Sequence, residues 1–192
     1  MKLGGLLENA NDFLAASKRC GWERIKDAKT ATKENEPLMM PEMVNLAFAC
    51  ELYLNAIAEH RKIKIGKTHD LDKLFHNLKK ETRQGIFDAW RNIAGENIAD
   101  CDYTRQMFVD NLGACANVFV RFRYADKWVG SVISLEHSYS PEQFEKYSPA
   151  SAKRCEDVLF HNAPQVYGGF INQFANSLKI YAERVIGKTY NS

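Results

Sequence analysis

No run of apolar residues in this 192-residue chain approaches the roughly 18 consecutive positions that a membrane-crossing helix requires. The opening Met1-Lys2-Leu3-Gly4-Gly5-Leu6-Leu7-Glu8 also lacks the apolar core of a secretory leader, so the expected location is cytoplasmic. Five cysteines, Cys20, Cys50, Cys101, Cys115 and Cys155, are odd in number, scattered and never in a CxxC pair. That pattern argues against a disulfide framework and a zinc site; the expected state is reduced and mostly buried. Net charge is small, with 26 Lys plus Arg against 24 Asp plus Glu, giving +2. Any nucleic-acid binding must therefore come from a local patch rather than from the whole surface. No HExxH, Gly-rich phosphate loop or GxSxG elbow is present, His60, His76 and His137 show no ligand spacing, and Asp100-Cys101-Asp102 has no partners at EF-hand positions. No metal or cofactor is implied, and there is no internal repeat.

What the chain does contain is helical periodicity. Leu3, Leu6, Leu7, Ala10, Phe13, Leu14 and Ser17 predict an amphipathic helix over residues 2–19 that ends near Gly21. A polar connection from Lys26 to Glu36 leads through Pro37 and Pro41 into a helix from Glu42 to about Arg61, proline being tolerated in a first turn. There Met43, Leu46, Ala47, Cys50, Leu54 and Ile57 form a stripe widened by Val44, Phe48 and Leu52, which predicts the central helix. Thr68-His69-Asp70 opens a third helix with the stripe Leu71, Leu74, Phe75 and Leu78, and late Lys79 and Lys80 suit its dipole. A short helical piece runs from Gln84 to Ile93 before Gly95.

Residues 103–124 predict a long helix with one stripe of Phe108, Leu112, Cys115, Phe119 and Phe122 and another of Val109, Gly113, Ala116 and Val120. The small Gly113 and Ala116 are expected to admit a neighbouring helix. Trp128 to Ser148 breaks the period and reads as an irregular insertion with an extended piece at Val129–Leu135. A helix from about Pro149 to His161 and a last one from Val166 to Ile186 complete the chain. The expectation is a single all-α domain over residues 1–192, an antiparallel helical bundle of about five to seven helices with an irregular insertion near 125–148.

Three segments in order carry a family resemblance. Phe48-Ala49-Cys50-Glu51-Leu52-Tyr53-Leu54-Asn55-Ala56-Ile57 resembles the "CELYLKAL" helix of the HEPN family (higher eukaryotes and prokaryotes nucleotide-binding domains), all-α bundles. His69-Asp70-Leu71-Asp72-Lys73-Leu74-Phe75 resembles that family's "HDL" helix opening, and Phe119-Val120-Arg121-Phe122-Arg123-Tyr124 its "FVxWRY" helix end. The likeness spans residues 43–80 and 106–124, with Asn55 in place of a lysine, Thr68 in place of a frequent glycine, and a longer stretch at 125–165.

The resemblance implies RNA as substrate or ligand. Catalytic members carry an Arg-x4–6-His motif, in which the arginine holds a phosphate and the histidine moves protons while the 2′-hydroxyl attacks phosphorus without a metal. Arg154-Cys155-Glu156-Asp157-Val158-Leu159-Phe160-His161 has that spacing, which on a helix puts both side chains on nearly one face. With 10 arginines and 5 histidines in the chain, about 0.8 such matches arise by chance, so the place of the pair just before the last helix carries more weight than its spacing. The plain alternative is two surface residues of an amphipathic helix.

A second set groups Glu51, His69 and Arg123, the polar residues of the three resembling segments. Arg123 extends the stripe Val109, Gly113, Ala116 and Val120, so its guanidinium needs a partner, and Glu51 is one choice. Against this, Glu51, Asn55 and Glu59 also recur as a solvent edge would. His69 is read either as a functional imidazole or as a capping residue at a helix N-terminus, where the dipole disfavours the protonated form. The loop Arg61-Lys62-Ile63-Lys64-Ile65-Gly66-Lys67 holds four cations in seven residues, either a phosphate-contacting patch or a solvated loop. Tyr139, Phe144 and Tyr147 either stack on bases or cover the core.

Two functions follow as expectations. One is an RNA-binding or RNA-cleaving protein of a defence or toxin system, pairing as a homodimer and meeting an antitoxin or other protein partner. The other is a non-catalytic helical module that binds a protein or a nucleotide.

Overall fold

A helix that is apolar around most of its circumference is stable only when other elements enclose it. Met43, Leu46, Ala47, Ala49, Cys50, Tyr53, Leu54, Ala56, Ile57 and Ala58 are all buried on one helix, α2 (Met39–His60), the centre of the fold. The computed structural model describes residues 3–21, 39–66, 68–95, 102–119, 133–134 and 166–190. Against α2 pack α1 (Leu3–Cys20), α3 (Leu71–His76) and the last helix, α6 (Gly168–Tyr190), while α4 (Lys80–Ala94) packs on α6 and α5 (Asp102–Ala114) meets α3 and α6. A two-residue strand, β1 (Ile133–Ser134), pairs in parallel with another, β2 (Val166–Tyr167), Ile133 opposite Val166. The architecture is all-α, and no helix among the described residues is long and apolar enough to cross a membrane.

Cross-helix contacts give the directions. Asn45 Nδ2 donates to Cys20 Sγ at 3.9 Å, whereas Tyr53 Oη donates to Asn11 Oδ1 at 2.6 Å, so α1 and α2 run antiparallel. The Leu71 N–H donates to the Ala116 carbonyl at 2.8 Å and Phe75 meets Phe108 with ring centroids 5.5 Å apart, which makes α3 and α5 antiparallel as well. Gly85 faces Tyr181 and Trp90 faces Phe170, so α4 and α6 do the same. Burial of the Tyr53 ring holds its phenol well above the ordinary range, and its proton stays on the bond to Asn11. Burial likewise pushes the Cys50 thiol up, with Cys115 adding to the effect, so Cys50 serves as a small core hydrophobe.

Several expectations change. The third helix stops at His76, although Leu78 stays buried, and a new helix begins at Lys80 with Lys79 as its N-cap. Lys79 and Lys80 thus stand at the positive end of α4 rather than at the negative end of α3. The piece expected from Gln84 starts a turn earlier, and the last helix starts at Gly168 because Val166 and Tyr167 pair as β2. In the long helix expected over 103–124, α5 gives way to turns at 115–117 before helical residues 118–119.

Among the described residues, Val109 and Gly113 of the second stripe do not pack against a neighbouring helix. Val109 is 37% exposed, and a methyl group added at Gly113 would meet nothing within 4 Å. Close approach occurs at Gly85 instead, where a Cβ would overlap Tyr181 Cε2 and lie 3.1 Å from Cδ2. Gly85→Ala gains about 1 kcal/mol of helix propensity but forces apart a packed helix pair at about 1–3 kcal/mol. A net loss of about 1 kcal/mol is expected in urea unfolding; a more stable variant would show that Tyr181 swings aside freely.

Candidate functional site

The site is assembled by the chain that leaves α2 and re-enters at α3. At the end of α2, Lys62 adopts φ 55°, the left-handed region. Its N–H donates to the Glu59 carbonyl at 3.0 Å, and the Ile63 N–H reaches back to the Ala58 carbonyl at 2.8 Å. This is a Schellman ending, with a lysine where glycine is the usual choice. Beyond it, Ile63 and Ile65 pack partly buried against the core while Lys62, Lys64 and Gly66 stay exposed. The alternation fixes the loop's orientation, isoleucines inward and cations outward. Arg61 turns its Nη2 toward the Tyr181 hydroxyl, 3.4 Å away. Lys62→Gly removes the left-handed penalty, so unfolding free energy is expected to rise by about 0.5–1 kcal/mol. No gain in a denaturant melt would show that the ending is not strained.

The return to α3 is held by local hydrogen bonds. The Thr68 hydroxyl accepts from the Asp70 N–H at 3.1 Å, and the Asp70 carboxylate caps α3 by accepting from the Lys73 N–H at 3.0 Å. With the Leu71 N–H tied to Ala116, the residue between these anchors, His69, has little backbone freedom. Its Nδ1 lies 2.8 Å from Glu51 Oε2 on α2. Its ring packs on Phe119 at 4.9 Å and 35°; Phe119 in turn stacks on Phe48 at 5.4 Å, and Phe48 meets Phe13 edge-on at 4.5 Å.

The two partners differ in exposure, the His69 side chain at 52% and Glu51 at 12%. A carboxylate only accepts hydrogen bonds, so this bond places a proton on Nδ1 and leaves Nε2 as the outward nitrogen. Nε2 has no partner among the described residues. A carboxylate that fixes the tautomer and aim of an imidazole is the arrangement by which histidine serves as a general base.

Of the residues singled out in the sequence, the structure brings Glu51 and His69 together and sets Arg61, Lys62 and Lys64 on the adjoining loop. Glu51 is not on a solvent edge: it is mostly covered, whereas Glu59 on the same helix is exposed. Its described partner is His69; Arg123, Arg154, His161 and Lys67 lie outside the described residues, as do Tyr139, Phe144 and Tyr147. Phe119 is the contributor that helical patterning assigned to the core alone, although it stands in the same resembling segment as Arg123. No family model, no curated protein and no solved structure matches this chain.

Proposed function

We propose that the chain is an RNA-directed protein of the HEPN type that cleaves single strands without a metal, with His69 as proton acceptor and Glu51 as the group that aims it. The observation that carries this reading is the 2.8 Å Glu51–His69 bond on a half-exposed imidazole whose Nε2 has no partner among the described residues. In the reaction, Nε2 takes the 2′-hydroxyl proton and the 2′-oxygen bonds to the adjacent phosphorus. The 5′-oxygen then leaves, takes a proton from water and ends as a hydroxyl, opposite a 2′,3′-cyclic phosphate.

Negative charge grows on the phosphate as this proceeds, and fixed cations nearby lower the barrier. Arg61, Lys62 and Lys64 stand farther off, on the loop past the end of α2, and their role in this reading is to hold a neighbouring stretch of the strand. The nine helical steps from Glu51 to His60 span roughly 14 Å, and the loop runs back from there toward His69. Within the same reading, the protein works in a defence or toxin system as a homodimer held in check by a protein partner. Arg154 and His161 are the competing catalytic pair.

A second reading has its own support. The packing of His69 on Phe119 and the anchors at Asp70 and Leu71 also describe a histidine that ties a loop to the bundle of a non-catalytic binding module.

The separating experiment incubates single-stranded RNA with excess chelator and either wild type, His69→Ala or His161→Ala. Cleavage by wild type is expected, with its loss in His69→Ala. Thermal melts should stay within a few degrees of each other, since a half-exposed pair of this kind contributes only about 0–1 kcal/mol. Loss in His161→Ala alone moves the chemistry to the other pair. Binding without cleavage by any of the three favours the module. Neutralising Lys62 and Lys64 should reduce the slope of log affinity against log salt by about 0.7 for each phosphate no longer neutralised; an unchanged slope places RNA elsewhere.

A further inference from the structure

At the far end of α3 from His69, that helix, α4 and α5 enclose a cleft of about 170 Å³. Its floor is aromatic: Phe75, Phe87 and Phe108 hold one another with centroids 5.5 Å apart in both pairs that Phe108 makes with the other two. Its rim is basic, with Lys80, Arg83 and Arg105 and no carboxylate among the described lining residues. Lys80 and Arg83 have no ion-pair partner among the described residues, so their positive field is open to an anion that enters the cleft.

The rim is also organised. Gln84 accepts from Arg105 Nη1 at 2.6 Å and passes its own amide to Asp88 at 2.8 Å, which holds Arg105 in place through the amide. The Arg105 guanidinium lies 4.8 Å above the Phe87 ring, which fixes its plane. Arg83 carries a buried Nε–H with no acceptor and makes no side-chain ion pair among the described residues, so its guanidinium charge is unmatched at the cleft wall. Lys80 opens α4, and Lys79 supplies no side-chain cap, so the free N–H groups of the first turn add positive field at the same end.

We propose that this cleft binds a phosphate monoester carried on a small, flat, apolar body, its dianion on Arg83, Arg105 and Lys80 and its ring against Phe108 and Val109. Val109 offers apolar surface at the mouth, being 37% exposed. A dianion answers three cations better than a monocarboxylate does, and guanidinium forks match phosphate oxygens in pairs. The site is separate from the dyad: the six residues of α3 lie between them, roughly 9 Å of helix rise.

Titration calorimetry of the full chain at low salt with phenyl phosphate, inorganic phosphate and benzoate tests this. Phenyl phosphate is expected to bind one-to-one and at least about tenfold more tightly than either of the others, because only it satisfies rim and floor together. Lys80→Met, an exposed change that should not disturb the melt, and Arg83→Met are each expected to weaken it about tenfold. Benzoate binding as well as phenyl phosphate, no saturable heat with phenyl phosphate, or an unchanged affinity in Lys80→Met would each overturn the proposal.

Discussion

Phe108→Ala is expected to lower the unfolding free energy by about 3–5 kcal/mol and the melting temperature by about 10 °C. The ring is 2% exposed and sits where α3, α4, α5 and α6 meet. It touches Phe75, Phe87, Trp90, Phe170 and Phe174, with centroid distances from 5.1 to 5.8 Å and tilted or edge-to-face geometry throughout. Truncation removes the transfer energy of the ring and also leaves a hole that five other rings, each held by further neighbours, cannot close. Phe108→Leu keeps most of the volume and is expected to cost about 1.5 kcal/mol or less. Against a total of about 5–15 kcal/mol for a domain, the alanine change consumes a large share of the stability. Chemical denaturation of both variants checks the claim: a loss under about 1 kcal/mol for Phe108→Ala would mean that the aromatic cluster does not organise the bundle.

Substitutions at the dyad are expected to act on rate rather than on folding. On the proposed reading, His69→Ala removes the proton acceptor and should slow strand cleavage by about 10²–10⁴-fold. Glu51→Gln leaves the imidazole in place but removes the carboxylate charge, and its amide can donate to Nδ1 and favour the other tautomer, so a loss of about 10–100-fold is expected for a positioning group of this kind. Because Glu51 acts through His69, the double variant should be little slower than His69→Ala alone. Single-turnover rates with saturating protein measure all three. Losses that multiply in the double variant would show that Glu51 has its own contact with RNA instead of a role through the imidazole.

The central helix was legible because its signal is redundant. Apolar and small residues cover nearly every side of α2, and a single pattern then specifies both helix and burial. The break between α3 and α4 was not legible, since Leu78 continues the stripe across it and only the backbone shows that the helix has ended. Small residues misled for a different reason. Gly113 and Gly85 offer the same absence of a side chain, but whether a neighbour fills that space depends on the tertiary arrangement, which places Tyr181 over Gly85 and, among the described residues, nothing over Gly113.

The candidate site was partly legible. Glu51 and His69 are eighteen positions apart, and nothing in helical spacing brings them together; their grouping came from the resembling segments. The ring beneath His69 was hidden because Phe119 sits at a core position in its helix and serves the core and the imidazole at once. The basic rim of the other cleft was silent in sequence, since Lys80, Arg83 and Arg105 belong to two helices and converge only after α4 and α5 pack.

The most direct measurement is the chemical nature of the RNA ends produced in excess chelator. With His69 as proton acceptor, wild type yields fragments ending in a 2′,3′-cyclic phosphate and beginning with a 5′-hydroxyl, and His69→Ala yields them about 10²–10⁴-fold more slowly. Fragments carrying a 3′-hydroxyl, or the same cyclic ends at an undiminished rate from His69→Ala, would contradict that role.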